Sequence, residues 1–264
     1  MLTKVKINTK TIVILLIFTT MLNATSSYSF RKYQHVENFY KEITQKTLDV
    51  CLKYNLPPAA VLAVAGLESG YGRGYVAQIT GNILSLGAFK GDKELPRLYL
   101  PYSESKQIIL FNPNEIKKHS QDDLSWKKRA KSYKRDYRPS PYAGTTQNLQ
   151  LLKYNQKLRH EAHCACLNDF ATRWISKKSK IKVFRDTKTW LDSLVFKHGK
   201  KILFSMKTNI DFIDKIGGHP NSFNYRKTWT KKVKLIMKKV ALIELVDDIH
   251  NKKMTFEKAW ENKQ

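Results

Sequence analysis

The feature that most constrains this chain is residues 59–67, a segment that is apolar on every side and is followed directly by Glu68. Pro57 and Pro58 precede it, and proline is tolerated in the first turn of a helix because its missing N–H has no helical partner there. A helix without a polar face belongs in the middle of a core. The sequence therefore predicts one domain built around this helix, with Glu68 at its end.

The remaining sequence predicts an α+β fold that is mostly helical. Apolar residues recur with the period of a helix over 36–54 and again in several segments after residue 142, including 225–249. Between residues 81 and 141, glycine, proline and asparagine separate short β-like stretches at 83–89, 97–102 and 132–137. We therefore expect a small β-rich lobe that is inserted after the buried helix.

Residues 1–26 have the pattern of a secretory signal peptide. Lys4, Lys6 and Lys10 precede an apolar stretch at 11–22, and small residues follow it. The apolar stretch is shorter than the roughly 20 residues that a membrane-spanning helix needs. The sequence predicts a cleaved signal, or alternatively an uncleaved anchor, and in both cases an exported domain over 30–250, in the periplasm or outside the cell.

The formal net charge of +26 is high for a chain of this length. A chain with such a charge is attracted to polyanions. Because export is predicted, the expected polyanions are phosphate-bearing envelope polymers or a membrane surface, and nucleic acid is not expected. The alternative is that lysines on solvated helix faces mainly keep the protein soluble.

The cysteines, at 51, 164 and 166, are too few for a disulfide framework. An oxidising compartment allows one disulfide, which would join Cys51 to Cys164 or Cys166. Residues 160–166 also include two histidines, but their spacing differs from that of the zinc-protease helix. We expect no metal and no organic cofactor.

Glu68 is the strongest candidate for a catalytic residue. The run Ser69-Gly-Tyr-Gly-Arg-Gly74 follows it, and glycines of this kind end a helix and let the backbone approach a ligand. Desolvation and the negative end of the helix dipole both favour the protonated carboxyl. Such a group can donate a proton to a glycosidic oxygen. The alternative is a helix-ending glutamate that simply reaches water.

Two motifs carry a resemblance to a known family. The run Ala60-Val-Leu-Ala-Val-Ala-Gly-Leu-Glu68-Ser-Gly-Tyr-Gly72 is followed by Gly81-Asn-Ile-Leu-Ser-Leu-Gly-Ala-Phe-Lys90. Together they resemble the signature of the bacterial endo-β-N-acetylglucosaminidases of glycoside hydrolase family 73. The resemblance implies a lysozyme-like fold, cleavage of β-1,4 bonds in the glycan strands of peptidoglycan, and the general-acid role for Glu68. It also implies substrate contacts at Tyr71 and Asn82.

The resemblance implies two further residues that the sequence leaves open. Relatives place a second acidic residue on the β-rich lobe, and we favour Glu115, which follows a turn-like Asn-Pro-Asn. Relatives also carry a tyrosine near the start of the last helix, and we favour Tyr225. The alternatives for the carboxylate are Glu104, Asp122 and Asp123, or the substrate's own acetamido group; those for the tyrosine are Phe223 and Trp229.

Two other functions fit the same motifs. A lysozyme or lytic transglycosylase would share the helix-ending acid, and a non-catalytic envelope protein could keep the glycan cleft for binding alone. The expected partner is in each case the glycan strand.

Overall fold

The computed structural model describes residues 28–89, 91–92, 94–128, 137–139, 143–145 and 151–263. The predicted signal peptide, residues 1–26, therefore lies outside the described part of the chain. Within that part, no helix combines the length and the apolar composition needed to cross a membrane.

The predicted α+β class is confirmed, because the described residues are mostly helical and include a small antiparallel sheet. A π-helical turn, Phe170–Trp174, precedes the helix that begins at Lys182, and a 3-10 turn, Lys200–Phe204, follows that helix. In chain order the α-helices are α1 (Gln34–Lys53), α2 (Pro58–Ser69), α3 (Tyr75–Thr80), α4 (Pro113–Ile116), α5 (Leu151–Tyr154), α6 (Gln156–Asp169), α7 (Lys182–His198), α8 (Met206–Ile216), α9 (Lys227–Val240), α10 (Leu242–His250) and α11 (Phe256–Glu261).

Helix α2 lies at the centre of the core, as its sequence predicts. Its residues from Pro58 to Gly66 are all buried, and α1, α8, α9 and α10 pack around it. The N–H of Ala60 donates a 2.8 Å hydrogen bond to the side-chain oxygen of Asn209, which is itself buried. This bond satisfies one of the amides that the start of a helix leaves without a helical partner. The packing fixes α2 along its length, and therefore fixes the end that carries Glu68.

The β-rich lobe is a sheet of order β2-β1-β3, formed by β1 (Tyr99–Ser103), β2 (Ile108–Ile109) and β3 (Leu124–Lys128). Both pairings are antiparallel. The prediction of β structure at 97–102 is thus close to β1. The prediction at 83–89 is wrong, because this segment is a loop in which Ser85 has a left-handed φ of 48°. Of the third stretch, residues 132–136 lie outside the described residues.

The packed core continues beyond residue 250, where the sequence suggested that the domain ends. Trp260 on α11 is buried against the aromatic ring of Tyr40. The buried guanidinium of Arg31 donates hydrogen bonds to five carbonyl oxygens, those of residues 240, 241, 259, 260 and 262. Burial lowers the pKa of Arg31 to about 10. This residue ties the start of the described chain to α9 and α11, so α11 belongs to the domain.

The expected disulfide is not formed, since Cys51, Cys164 and Cys166 are all free thiols. Cys51 and Cys166 are buried in the core. Burial raises the pKa of Cys166 to about 12 and also raises the pKa of Cys51, which keeps both thiols protonated. Among the described residues, no group of His, Cys, Asp and Glu is arranged to hold a metal ion.

Candidate active site

Three segments of the chain meet at Glu68: the end of α2, the loop at 81–89 and the first turn of α9. The indole N–H of Trp229 donates a 2.6 Å hydrogen bond to Oε1 of Glu68. The hydroxyl of Ser85, in the loop, lies 3.4 Å from the backbone carbonyl oxygen of Glu68, to which it donates. Glu68 thus has an apolar helix behind it and polar groups from two distant segments beside it.

The surroundings of Glu68 favour its protonated form. Burial raises the pKa of the carboxyl above its usual value of 4.5, although hydrogen bonds from Trp229 and Ser85 act in the opposite direction. The net result is a raised pKa, because desolvation of the charged form is the largest effect. A carboxyl of this kind holds a proton at a higher pH than an exposed glutamate does.

The chain turns sharply after Glu68, and this turn keeps the carboxyl at the edge of the core. Gly70 adopts a left-handed conformation with φ 56°, and its N–H reaches the carbonyl oxygens of Gly66 and Leu67. The hydroxyl of Ser69 donates to Ala65 and accepts the N–H of Gly72 at 2.8 Å. These bonds satisfy backbone groups at the helix end and fix the turn that follows Glu68.

Trp229 reaches Glu68 because a glycine leaves room for its ring. A Cβ atom added at Gly217 would overlap the indole of Trp229. The ring of Phe223 also contacts the indole, with centroids 5.6 Å apart. Trp229 is buried, and its indole is held against Gly217 and Phe223. In this position its N–H donates to the carboxylate of Glu68.

Asn82 braces the loop that carries Ser85. Its side-chain oxygen accepts the N–H of Leu86 at 2.9 Å, and its side-chain amide donates to the carbonyl oxygen of Leu86 at 2.9 Å. The thiol of Cys166 also lies 3.6 Å from the side-chain oxygen. Asn82 is buried, and both ends of its amide bind the protein itself. The structure therefore places Asn82 behind the loop, where it positions Ser85.

The far end of the same loop is held by an ion pair. A carboxylate oxygen of Asp92 lies 2.6 Å from the guanidinium of Arg173, and the other accepts the N–H of Phe89 at 2.8 Å. The ring of Phe89 packs against that of Trp174, with centroids 5.2 Å apart. The loop beside Glu68 is thus attached at both ends to the helical core.

Tyr71 lies on the turn after α2 and packs into an aromatic cluster. Its ring makes edge contacts with Phe39 and Tyr40, with centroids 6.2 and 6.0 Å apart, and a similar contact with His35. Burial raises the pKa of Tyr71 to about 12, so the phenol keeps its proton. One side of this ring is therefore occupied by the core. Its predicted contact with substrate stays a prediction.

Tyr225 lies just before α9, and 67% of its side chain is exposed. Arg226 stacks over its ring at 5.6 Å from the centroid. Of the three aromatic residues considered for this position, Trp229 is the one that contacts Glu68. A role of Tyr225 in binding substrate stays a prediction.

The candidates for a second carboxylate all lie on the β-rich lobe. Glu115 forms an exposed ion pair with Lys106 at 2.9 Å, and Glu104 accepts a hydrogen bond from the hydroxyl of Ser125. In each case these hydrogen bonds hold the pKa of the carboxyl below its usual value. Asp122 is exposed. None of the contacts among the described residues joins these groups to Glu68.

Asp123 differs from the other three because it holds the lobe together. It accepts the N–H of Ser105 at 2.7 Å and the hydroxyl of Ser103 at 2.9 Å, and it also contacts His119. These bonds lower the pKa of Asp123 well below its usual value, the N–H of Ser105 having the largest effect. Asp123 therefore connects β1 to the segment that precedes β3.

The lobe also exposes an aromatic surface that the sequence did not single out. Trp126 on β3 is 50% exposed, and its ring lies 6.0 Å from that of Tyr75, the first residue of α3. Phe111 is 44% exposed, and its carbonyl oxygen accepts the N–H of Tyr75 at 3.2 Å. Flat aromatic surfaces of this kind can stack against the apolar faces of sugars.

The chain has a structural relative among solved proteins. It is similar to the catalytic domain of the autolysin Auto from Listeria monocytogenes, with a TM-score of 0.40 and 18% sequence identity over 80% of this chain and 87% of that one. No protein-family model matches the chain. A comparison with curated proteins also found no match. The chemistry of Glu68 and its neighbours is therefore the basis for a functional assignment.

Proposed function

We propose that the protein is a peptidoglycan hydrolase that cleaves β-1,4 glycosidic bonds of the glycan strand, as an N-acetylglucosaminidase, with Glu68 as general acid. The observation that supports this most directly is the partly buried carboxyl of Glu68, whose pKa is raised by burial and whose Oε1 accepts the N–H of Trp229. A general acid needs to keep its proton near the working pH until a leaving group takes it.

The proposed reaction begins with the transfer of this proton from Glu68. Glu68 gives it to the glycosidic oxygen while the bond from that oxygen to the anomeric carbon breaks. The anomeric carbon then carries the positive charge, which a carboxylate of the β-rich lobe or the substrate's acetamido oxygen stabilises. Water adds to the anomeric carbon and releases a proton, which restores the acid. After proton donation, the N–H of Trp229 stabilises the Glu68 carboxylate by a charge-assisted hydrogen bond.

The proposal extends to the compartment and the substrate contacts. The pattern of residues 1–26 supports export to the periplasm or beyond, where peptidoglycan is found. Tyr225 and Trp126 offer exposed rings for the glycan, 67% and 50% exposed respectively. The proposed proton donation by Glu68 and the proposed stacking of sugars on aromatic rings require neither a metal nor an organic cofactor.

Incubation of the purified protein with isolated sacculi tests this proposal. The released fragments are reduced with borohydride and identified by mass spectrometry. A glucosaminidase leaves reducing N-acetylglucosamine ends, a lysozyme leaves reducing N-acetylmuramic acid ends, and a lytic transglycosylase leaves anhydro ends. Glu68→Gln should lower the rate by about 10² to 10⁴, the usual contribution of a general acid.

Glu261→Gln is the matched control, because Glu261 also ends a helix but is exposed. It should cleave sacculi at the rate of the wild type. If the Glu68→Gln protein is folded and cleaves sacculi as fast as the wild type and the Glu261 variant, the assignment of Glu68 is wrong.

Binding without cleavage is the second candidate function. It is favoured by the β-rich lobe, in which Glu104, Glu115 and Asp123 all accept hydrogen bonds within the lobe itself. In that case the wild type and the Glu68→Gln variant should bind sacculi equally, and neither should release fragments.

A further inference from the structure

Helix α9 carries a row of lysines on its exposed side. The helix contains six lysines and no acidic residue. Lys227, Lys231, Lys234 and Lys238 follow one another at four-, three- and four-residue steps, so they lie along one line of the helix surface. With a rise of 1.5 Å per residue, this α9 lysine row is about 16 Å long, and the Cβ atoms of successive lysines are roughly 5 to 6 Å apart.

The row is not balanced by acidic partners, whereas several lysines of other helices are. Among the described residues, the ion pair of Lys234 with Asp214 at 2.6 Å is the one that α9 makes. Elsewhere in the described part of the chain, four lysines are paired with an aspartate four residues away on the same helix or at its end. These pairs are Lys182 with Asp186, Lys188 with Asp192, Lys207 with Asp211, and Lys252 with Asp248.

This arrangement reduces the stability of α9. Like charges four residues apart on one face of a helix repel each other and destabilise the helix. Lys227 adds to this cost because it stands at the first position of the helix, where the dipole is positive. Solubility alone does not explain a straight row at such a position, since scattered or paired lysines would provide the same charge.

The opposite face of α9 limits what can bind to the row. Trp229, Val233, Ile236, Met237 and Val240 are buried in the core. The apolar face is therefore not available to enter a bilayer, as the apolar face of a membrane-surface helix must be. Beside the row, Leu235 is 48% exposed, which is too little apolar surface for insertion. A single file of regularly spaced charges instead matches a linear polyanion.

We propose that the α9 lysine row binds a linear phosphodiester polymer of the cell envelope, of the poly(polyol phosphate) type. Its phosphates, repeated along a flexible chain, can contact successive lysines of the row. Trp229, in the first turn of α9, contacts Glu68, so a polymer on this row holds the protein with its candidate active site close by. The proposal concerns binding and does not depend on hydrolysis by Glu68.

Binding of labelled poly(glycerol phosphate) chains at several salt concentrations tests the proposal. One variant combines Lys227→Gln, Lys231→Gln and Lys238→Gln. The matched control combines Lys41→Gln, Lys182→Gln and Lys207→Gln, which removes the same charge from lysines that have carboxylate partners elsewhere. Circular dichroism and melting temperature establish that both variants are folded.

We expect the row variant to lose at least tenfold in affinity and the control to lose less than about twofold. The slope of log affinity against log salt should fall by about 2 for the row variant, because each phosphate contact on a flexible strand contributes roughly 0.7. Equal losses in the two variants would overturn the proposal. So would a row-dependent binding to anionic phospholipid vesicles that exceeds binding to the polymer, since this would make the row a membrane site.

Discussion

The indole N–H of Trp229 lies 2.6 Å from Oε1 of Glu68, although 161 residues separate them in the chain. Burial and this hydrogen bond have opposite effects on the carboxyl. Burial raises the pKa of Glu68, and the N–H of Trp229 lowers it by stabilising the carboxylate. Trp229 thus sets how far the pKa of the proposed general acid rises, while the carboxyl remains able to lose its proton.

Trp229→Phe should shift the pH dependence of hydrolysis. Loss of the N–H removes a bond to the carboxylate, so the pKa of Glu68 should rise further. Because a general acid acts in its protonated form, the alkaline limb of the kcat/KM profile should move to higher pH. Activity on soluble glycan fragments, measured across the pH range, tests this shift.

Gly217→Ala provides a second way to move the same indole. Gly217 has an extended φ of −148° that alanine also adopts, so the effect should come from the overlap of the new Cβ with the Trp229 ring. The alkaline limb should move in the same direction as in Trp229→Phe. If both variants lose rate but keep the pH profile of the wild type, the role of Trp229 is limited to packing.

Glu68→Gln should make the protein more stable at neutral pH. Below the usual pKa of 4.5, the carboxyl is protonated in both the folded and the unfolded chain, and its burial carries no charge penalty. As the pH rises through the raised folded pKa, the wild type loses stability because the folded state then contains a desolvated carboxylate. Glutamine has no such loss and can still accept the N–H of Trp229.

The gain at pH 8 should appear as a melting temperature above that of the wild type, since a gain of each kcal/mol corresponds to roughly 2 to 4 °C for a protein of this size. At pH 4 the two proteins should melt within about 1 °C of each other, because the charge penalty is then absent. Thermal melts at both pH values, with Glu261→Gln as control, provide the measurement. A gain of the same size at both pH values would show that charge is not its cause.

The position of Glu68 could be predicted because it depends on local sequence. The apolar residues before it and the glycines after it determine the buried helix α2 and the left-handed turn at Gly70. In contrast, Trp229 and Tyr225 are only four residues apart, and nothing local decides which ring faces the carboxyl. The choice depends on the space that Gly217 leaves for an indole, which is a contact between distant elements.

The loop beside Glu68 shows why a short run of apolar residues does not by itself predict a β-strand. The segment contains the apolar residues Ile83, Leu84 and Leu86, and this short apolar stretch predicted β structure there. All three residues are indeed buried. The backbone instead bends at Ser85, and the Asn82 side chain takes the bonds to Leu86 that a neighbouring strand would otherwise supply. The asparagine after Gly81 was a usable signal for this loop, since its amide can replace backbone partners.

Asn82→Ala should lower both stability and kcat. The variant leaves the buried N–H and carbonyl oxygen of Leu86 without partners, which costs about 1 to 3 kcal/mol. Ser85 should then lose its position beside Glu68, and the rate should fall at nearly constant KM. Asn251→Ala is the control, because Asn251 is exposed, directly follows α10, and donates its side-chain amide to Asp247 of that helix.

A direct contact between Asn82 and the glycan predicts the reverse outcome. In that case Asn82→Ala should raise KM while the melting temperature stays within about 1 °C of the wild type. Thermal melts and steady-state kinetics on the same preparations separate a positioning role from a substrate contact.

The four carboxylates of the β-rich lobe can be compared with Glu68 by substitution. The variants are Glu104→Gln, Glu115→Gln, Asp122→Asn, Asp123→Asn and Glu68→Gln. Asp123→Asn should lower the melting temperature, because its carboxylate accepts hydrogen bonds from Ser103 and Ser105. The other three carboxylates lie at the surface, where a charged side chain contributes little to stability, so these variants should melt like the wild type.

Each of the four variants should hydrolyse sacculi faster than Glu68→Gln does, because a carboxylate that only stabilises developing charge contributes less than the proton donor. Substrate assistance by the acetamido group predicts that none falls more than about tenfold, or 1.4 kcal/mol of barrier. If one stable variant matches the Glu68 defect, it identifies the partner in a two-carboxylate mechanism. A stable variant with a larger defect than Glu68→Gln would instead indicate that the proton donor lies on the lobe and not on α2.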